Sequence, residues 1–149
     1  MKIVVDSNIV FSALLNADSS IARLFFYPQK PVDFFTCDFL KEEIELHSEK
    51  LKKISGLTDR DLNLSKSKLF DRIRFIDYKL INDQSWEKAE TLVADIDPDD
   101  VSFVALALDF SNSYLWTGDK KLRAGLKQRG FKQIINTREL MKLIEKLDE

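Results

Sequence analysis

The sequence predicts an α/β protein built on a mostly parallel sheet. Three observations carry this expectation. Short apolar runs alternate along the whole chain with stretches of helical periodicity. No internal repeat, low-complexity segment or linker interrupts that alternation. Hydrophobic residues make up 44% and charged residues 32% of the 149, enough for both a core and a solvated surface. That length lies inside the roughly 100–200 residues usual for a single core, so one domain over residues 1–149 is expected.

The elements follow in order. Ile3-Val4-Val5 is short and β-branched, the pattern of a buried central strand, and it ends at Asp6. Residues 7–15 read as a helix with Ile9, Val10, Ala13 and Leu14 on one face. Ser19 or Ser20 can cap a second short helix that stops before Pro28. Residues 32–36 form a second strand. Asp38 can cap one long helix reaching about residue 55, with Phe39, Leu40, Ile44 and Leu51 as its stripe and Gly56 as its stop. Thr58 and Asp61 resemble a capping box, with Asp in place of Glu, for a helix to about residue 71. Residues 73–78 alternate as a third strand. Asn82 or Asp83 opens a helix through Trp86, Ala89, Leu92 and Val93. Asp97-Pro98-Asp99-Asp100 is a strong helix start: a cap, a proline at the first helical position, and two carboxylates at the positive end of the dipole. The helix it opens, over residues 99–110, is almost wholly apolar and should be buried. Residues 114–117 form a fourth strand, followed by Gly118-Asp119 and a basic helix. Ile134-Ile135 is a short fifth strand, and Asn136 with Glu139 makes another capping box for the closing helix.

Composition excludes several classes. The single cysteine, Cys37, allows no intrachain disulfide and no cysteine-based zinc cluster. The longest apolar stretch, residues 101–108, is far short of the ~18 residues a membrane helix needs. The apolar run before Asp6 is too short for a secretory signal. A soluble, cytoplasmic protein without a membrane partner is expected. The net charge of −2 argues against nucleic-acid binding by bulk charge. The charge is segregated, however. Asp95, Asp97, Asp99 and Asp100 form an acidic knot, and Lys120, Lys121, Arg123, Lys127, Arg129 and Lys132 form a basic stretch. Such a pair suits a metal site that handles a polyanion, or simply two solvated helix faces.

Two acids fall at strand ends, Asp6 after the first strand and Asp119 after the fourth. Open parallel sheets bind ligands outside the carboxyl ends of their strands, where the strand order reverses. Asp100 opens a buried helix, and Glu43 lies one turn into the helix after the second strand. These four carboxylates can meet at one edge. Ionised together they require a counter-charge, and a hard divalent cation such as Mg2+ or Mn2+ supplies it. Each acid also has an ordinary structural reading. Asp6 can begin a turn, Asp100 and Asp97 can serve the helix start, Glu43 can be an exposed helix residue, and Asp119 can cap the basic helix.

Those residues resemble the PIN-domain family of nucleases. Val4-Val5-Asp6-Ser7-Asn8 is similar to its opening strand and acid. Leu40-Lys41-Glu42-Glu43-Ile44 is similar to the helix carrying its second acid, with Glu43 the better match. Asp97 to Ala107 resembles its third block, and Thr117-Gly118-Asp119-Lys120-Lys121-Leu122 closely resembles its fourth. The likeness covers nearly the whole chain in the right order. It implies a three-layer α/β/α sandwich with a central five-stranded sheet. It also implies an Mg2+- or Mn2+-dependent ribonuclease, and in many members a toxin neutralised by a small antitoxin protein. Homodimers are common in the family, and one is expected here. By that resemblance Asp6, Glu43, Asp100 and Asp119 carry the metal and the catalysis. Asn8 and Thr117 match supporting positions, and Asp97 is a residue behind the ligands. The segment from Lys50 to Ile81 is longer and more charged than in the shorter toxin types.

Phosphodiester hydrolysis needs an activated water, neutralised phosphate oxygens and a stabilised leaving alkoxide, and a divalent cation serves all three. Asp100 is the candidate to accept the water's proton. Lys120, Lys121 and Arg123, beside Asp119, are the candidates for phosphate contacts. His47, the lone histidine, fits a surface role. A receiver domain, a haloacid-type phosphatase and a calcium loop each lack a required residue, and no phosphate-loop glycine pattern occurs. The alternative from another class is a non-catalytic PIN-like module that binds RNA or protein.

Overall fold

The computed structural model describes residues 1–26 and 32–147. Five strands, β1 (Lys2–Val5), β2 (Asp33–Cys37), β3 (Ile73–Ile76), β4 (Ser113–Trp116) and β5 (Ile134–Ile135), form one sheet in the order β3-β2-β1-β4-β5, with every pairing parallel. The order reverses at β1, which lies between β2 and β4. Alternate side chains of β1 enter opposite layers. Ile3 and Val5 join one apolar cluster and Val4 the other.

The first cluster is covered by α1 (Ser7–Leu15), α2 (Ser20–Phe26), α3 (Leu40–Leu46), α4 (Ser48–Ser55), α5 (Asp59–Phe70) and α9 (Thr137–Leu147). At its centre Trp116 sits against Phe25 and Phe34, with ring centroids 5.1 and 6.1 Å away. The Trp116 indole N–H donates to Thr137 Oγ1 at 3.1 Å, so this large side chain is buried with its polar atom satisfied. The second cluster is covered by α6 (Asp83–Val93), α7 (Val101–Asp109) and α8 (Lys120–Gln128). Phe103, Val104, Ala105, Leu106 and Ala107 of α7 are all buried, as expected of a helix with apolar residues on every side. The result is the α/β/α sandwich that the resemblance implied.

Local chemistry sets the element ends. Ser19 Oγ accepts from the Ala22 amide at the start of α2, which runs to Phe26; the expected stop before Pro28 falls outside the described residues. Thr58 Oγ1 accepts from the Asp61 amide and Asn82 Oδ1 from the Gln84 amide. Asn136 and Glu139 form a reciprocal box, each side chain accepting the other's amide at 2.8 and 3.2 Å. Gly56 closes α4 at φ +73°, a left-handed position that costs glycine little.

Four expectations change. The long helix over residues 38–55 is two helices, α3 and α4, that break at His47 (φ −100°, ψ 15°). The break lets α4 turn onto α1, where the His47 ring meets Phe11 edge-on at 5.9 Å and Leu51 is buried. Asp38 caps no helix; its carboxylate accepts weakly from the Tyr78 amide. The third strand stops at Ile76, because Asp77 caps a 3-10 turn at Tyr78–Leu80 by accepting from the Lys79 amide at 2.9 Å. The helix expected from residue 99 begins instead with a 3-10 turn, Pro98–Asp100, before α7.

Candidate active site

The site is built at the carboxyl end of β1. Val5 lies beside Trp116 in the sheet, and the Asp6 amide donates to the Trp116 carbonyl at 3.1 Å. That register sets Asp6 next to Thr117. Thr117 Oγ1 donates to Asp6 Oδ2 at 2.6 Å and accepts from the Asp119 amide at 3.1 Å, so one hydroxyl ties the two strand-end acids together. Asn8 makes a second tie: its Nδ2 donates to Asp6 Oδ2 and its Oδ1 accepts from the Gly118 amide, both at 3.3 Å. Ser7 Oγ donates to the other Asp6 oxygen at 3.3 Å. Asp6 is 1% exposed. Burial pushes its carboxyl up from the ordinary value, the Thr117 and Ser7 hydrogen bonds oppose that, and the Asp119 charge adds to it.

Asp97, Asp100 and Asp119 come from two helix starts. One carboxylate oxygen from each lies within 4.8 Å of the others. Asp97 Oδ1 accepts from the Asp99 amide at 3.0 Å, and Asp119 Oδ1 from the Leu122 amide at 3.0 Å, so both are helix caps as well as members of this group. Asp100 is 7% exposed and its carboxyl is pushed up to about 8. Burial is the main cause, followed by the charges of Asp6, Asp97 and Asp119 and by a hydrogen bond with Asp97. Asp6, Asp97, Asp100 and Asp119 therefore share one electrostatic neighbourhood.

Glu43 stands apart from that group. It is half-buried, and burial raises its carboxyl, opposed by the His47 charge and reinforced by Asp99 rather than by Asp100 or Asp6. The basic residues also divide. Lys120 and Lys121 are exposed in the first turn of α8. Arg123 turns away to α9, where its Nη2 donates to Glu139 Oε1 at 2.7 Å while its Nε is buried without a partner.

Sequence reasoning missed two features. Ser7 touches Asp6 directly, which its position next to the acid could have suggested. Asp97 stands level with Asp100, and the three-residue spacing at a helix start was the available signal. An all-carboxylate donor set matches hard divalent cations. The burial of Asp100 against a second carboxylate also fits such a cation, because the pair is short of positive charge.

The fold and the acid group define a class: the chain belongs to the PIN domain family, whose sequence model matches residues 4–143 and whose members are generally nucleases. Among solved structures it is similar in fold to VapBC2 from Rickettsia felis, determined bound to a DNA fragment from their promoter. The identity is 16% and the TM-score 0.62, over 91% of this chain and 98% of that one. No curated protein matches the chain. Among the described residues no single helix is long and apolar enough to cross a membrane.

Proposed function

We propose that this chain is a divalent-cation-dependent endoribonuclease and the toxin of a toxin–antitoxin pair. The gathering of Asp97, Asp100 and Asp119 within 4.8 Å, beside a buried and triply hydrogen-bonded Asp6, carries this reading. Asp6, Asp100 and Asp119 would hold Mg2+ or Mn2+, with Glu43 at the margin acting through waters. The bound cation would lower the pKa of a water, neutralise phosphate oxygens and stabilise the leaving alkoxide. The protein's own share is orientation. Thr117 and Asn8 fix Asp6, and the Leu122 amide fixes Asp119, so the carboxylates need little rearrangement when charged ligands arrive. Asp100, which holds its proton up to about pH 8 without a cation, is the group suited to accept the water's proton once ionised.

Lys120 and Lys121 would receive RNA phosphates. Arg123, paired with Glu139, is better suited to seating α8 than to touching RNA. A small antitoxin and a second copy of the chain are the protein partners this reading includes; the fold likeness to VapBC2 is in keeping with the first. The deciding experiment incubates the purified chain with RNA in Mg2+, Mn2+ or chelator, beside a variant carrying Asp6→Asn, Glu43→Gln, Asp100→Asn and Asp119→Asn together. Cleavage by the wild type alone, lost with chelator, is expected. RNA binding without cleavage would replace the enzyme with a binding module.

A further inference from the structure

We propose that Asp97 is itself an oxygen ligand of the divalent cation, on the same footing as Asp100 and Asp119, and that its helix-cap bond is what aims it. This rests on the cation-dependent reading of the site and specifies its ligands. Two oxygens bound to one Mg2+ or Mn2+ at about 2.1 Å lie at most about 4.2 Å apart. The 4.8 Å span of the Asp97, Asp100 and Asp119 oxygens is within a small side-chain adjustment of that limit.

The neighbours of Asp100 supply an independent observation. This side chain is more than nine-tenths buried, and its hydrogen-bond contact is the Asp97 carboxylate. No N–H or O–H donor among the described residues reaches it. Two facing carboxylates need a shared proton or a shared cation, and the all-oxygen surroundings suit the cation. Asp97 is also held in the required pose. The Asp99 amide occupies its Oδ1, which leaves the second oxygen for another partner. The 3-10 turn Pro98–Asp100 then carries Asp100 to the same side. Glu43, coupled to Asp99 and His47, leaves this position to Asp97.

Manganese titration of the full chain by calorimetry tests the proposal. Asp97→Asn keeps an acceptor equal to Asp as a cap while removing the charge, so the melting temperature should stay close to that of the wild type. Its Mn2+ affinity should fall at least about tenfold, since even the loss of an outer hydrogen-bond partner costs about 10–100-fold. Asp97→Cys offers a softer ligand. It should bind Cd2+ with a thiolate-to-metal charge-transfer band that the wild type lacks, because the native Cys37 is buried. Asp119→Asn serves as the reference variant. If Asp119→Asn weakens Mn2+ while Asp97→Asn binds it like the wild type, the cation site stands and the role of Asp97 is overturned. If the wild type binds no Mn2+, both fall.

Discussion

The two helical layers hold their acids in different ways. In the α6–α8 layer, Asp100 leads directly into α7, with its five consecutive buried residues, and Asp119 caps a helix whose Leu122 and Leu126 are fully buried. In the opposite layer, Glu43 rides on α3, which ends at a break. Beside that break Leu46 is 82% exposed, and Ile54 of α4 is 58% exposed. One set of carboxylates is held by the core and the other by a peripheral helix pair. Placement fixed by packing lowers the reorganisation required when charge arrives, so the core-held acids should dominate the chemistry.

The largest test of that contrast is catalytic. Asp6→Asn should cost about 10²–10³-fold or more in cleavage rate, the magnitude seen on removing an electrostatic stabiliser, with circular dichroism unchanged. Glu43→Gln should cost clearly less. Equal reductions would erase the distinction. Stability gives the next test. Leu106→Ala, in the heart of α7, should destabilise by about 2–5 kcal/mol in urea unfolding, whereas Leu46→Ala should stay within about 0.5 kcal/mol.

A third test uses pH. Asp100 binds its proton more tightly in the folded protein, about 8 against an ordinary 3.8. As pH rises past the unfolded value, the unfolded chain gains by ionising while the folded protein does not. Stability therefore falls, and the decline is complete above about pH 8. The cation-free protein should melt lower at about pH 8 than at about pH 5, with each kcal/mol moving the melting point by about 2–4 °C. Asp100→Asn should flatten this slope. The smallest effect concerns the basic helix. Replacing Lys120 and Lys121 with Gln should reduce the salt slope of single-stranded RNA binding by about 0.7 for each phosphate no longer neutralised. Arg123→Gln should leave that slope unchanged and lower the melting point instead.

Much of this architecture was legible in the sequence because its signals are local. Ile3-Val4-Val5 announces a buried strand by β-branching alone, and the Asn136–Glu139 box is a four-residue motif that forms as written. The break at His47 was hidden, because residues 38–55 contain no glycine or proline. It is imposed from outside, by the position of α1 and the burial of Leu51. The site divides in the same way. Asp6 and Asp119 stood out at strand ends. The partner of Arg123 lies sixteen residues away on another helix, a pairing that charge counting along the chain does not reveal. Asp97 was legible as a cap, and its second role appears only when α8 arrives beside it.

Glu139 gathers several threads at once: the Asn136 amide, the Arg123 guanidinium and, at 3.8 Å, the Lys127 ammonium. During synthesis α8 leaves the ribosome before α9 does. Until Glu139 follows, Arg123 is a half-buried cation with no carboxylate to answer it, four residues beyond Asp119. Final seating of the Asp119 helix thus waits on translation of α9, and a nascent chain stalled before that point carries every acid of the site but not the latch that steadies them.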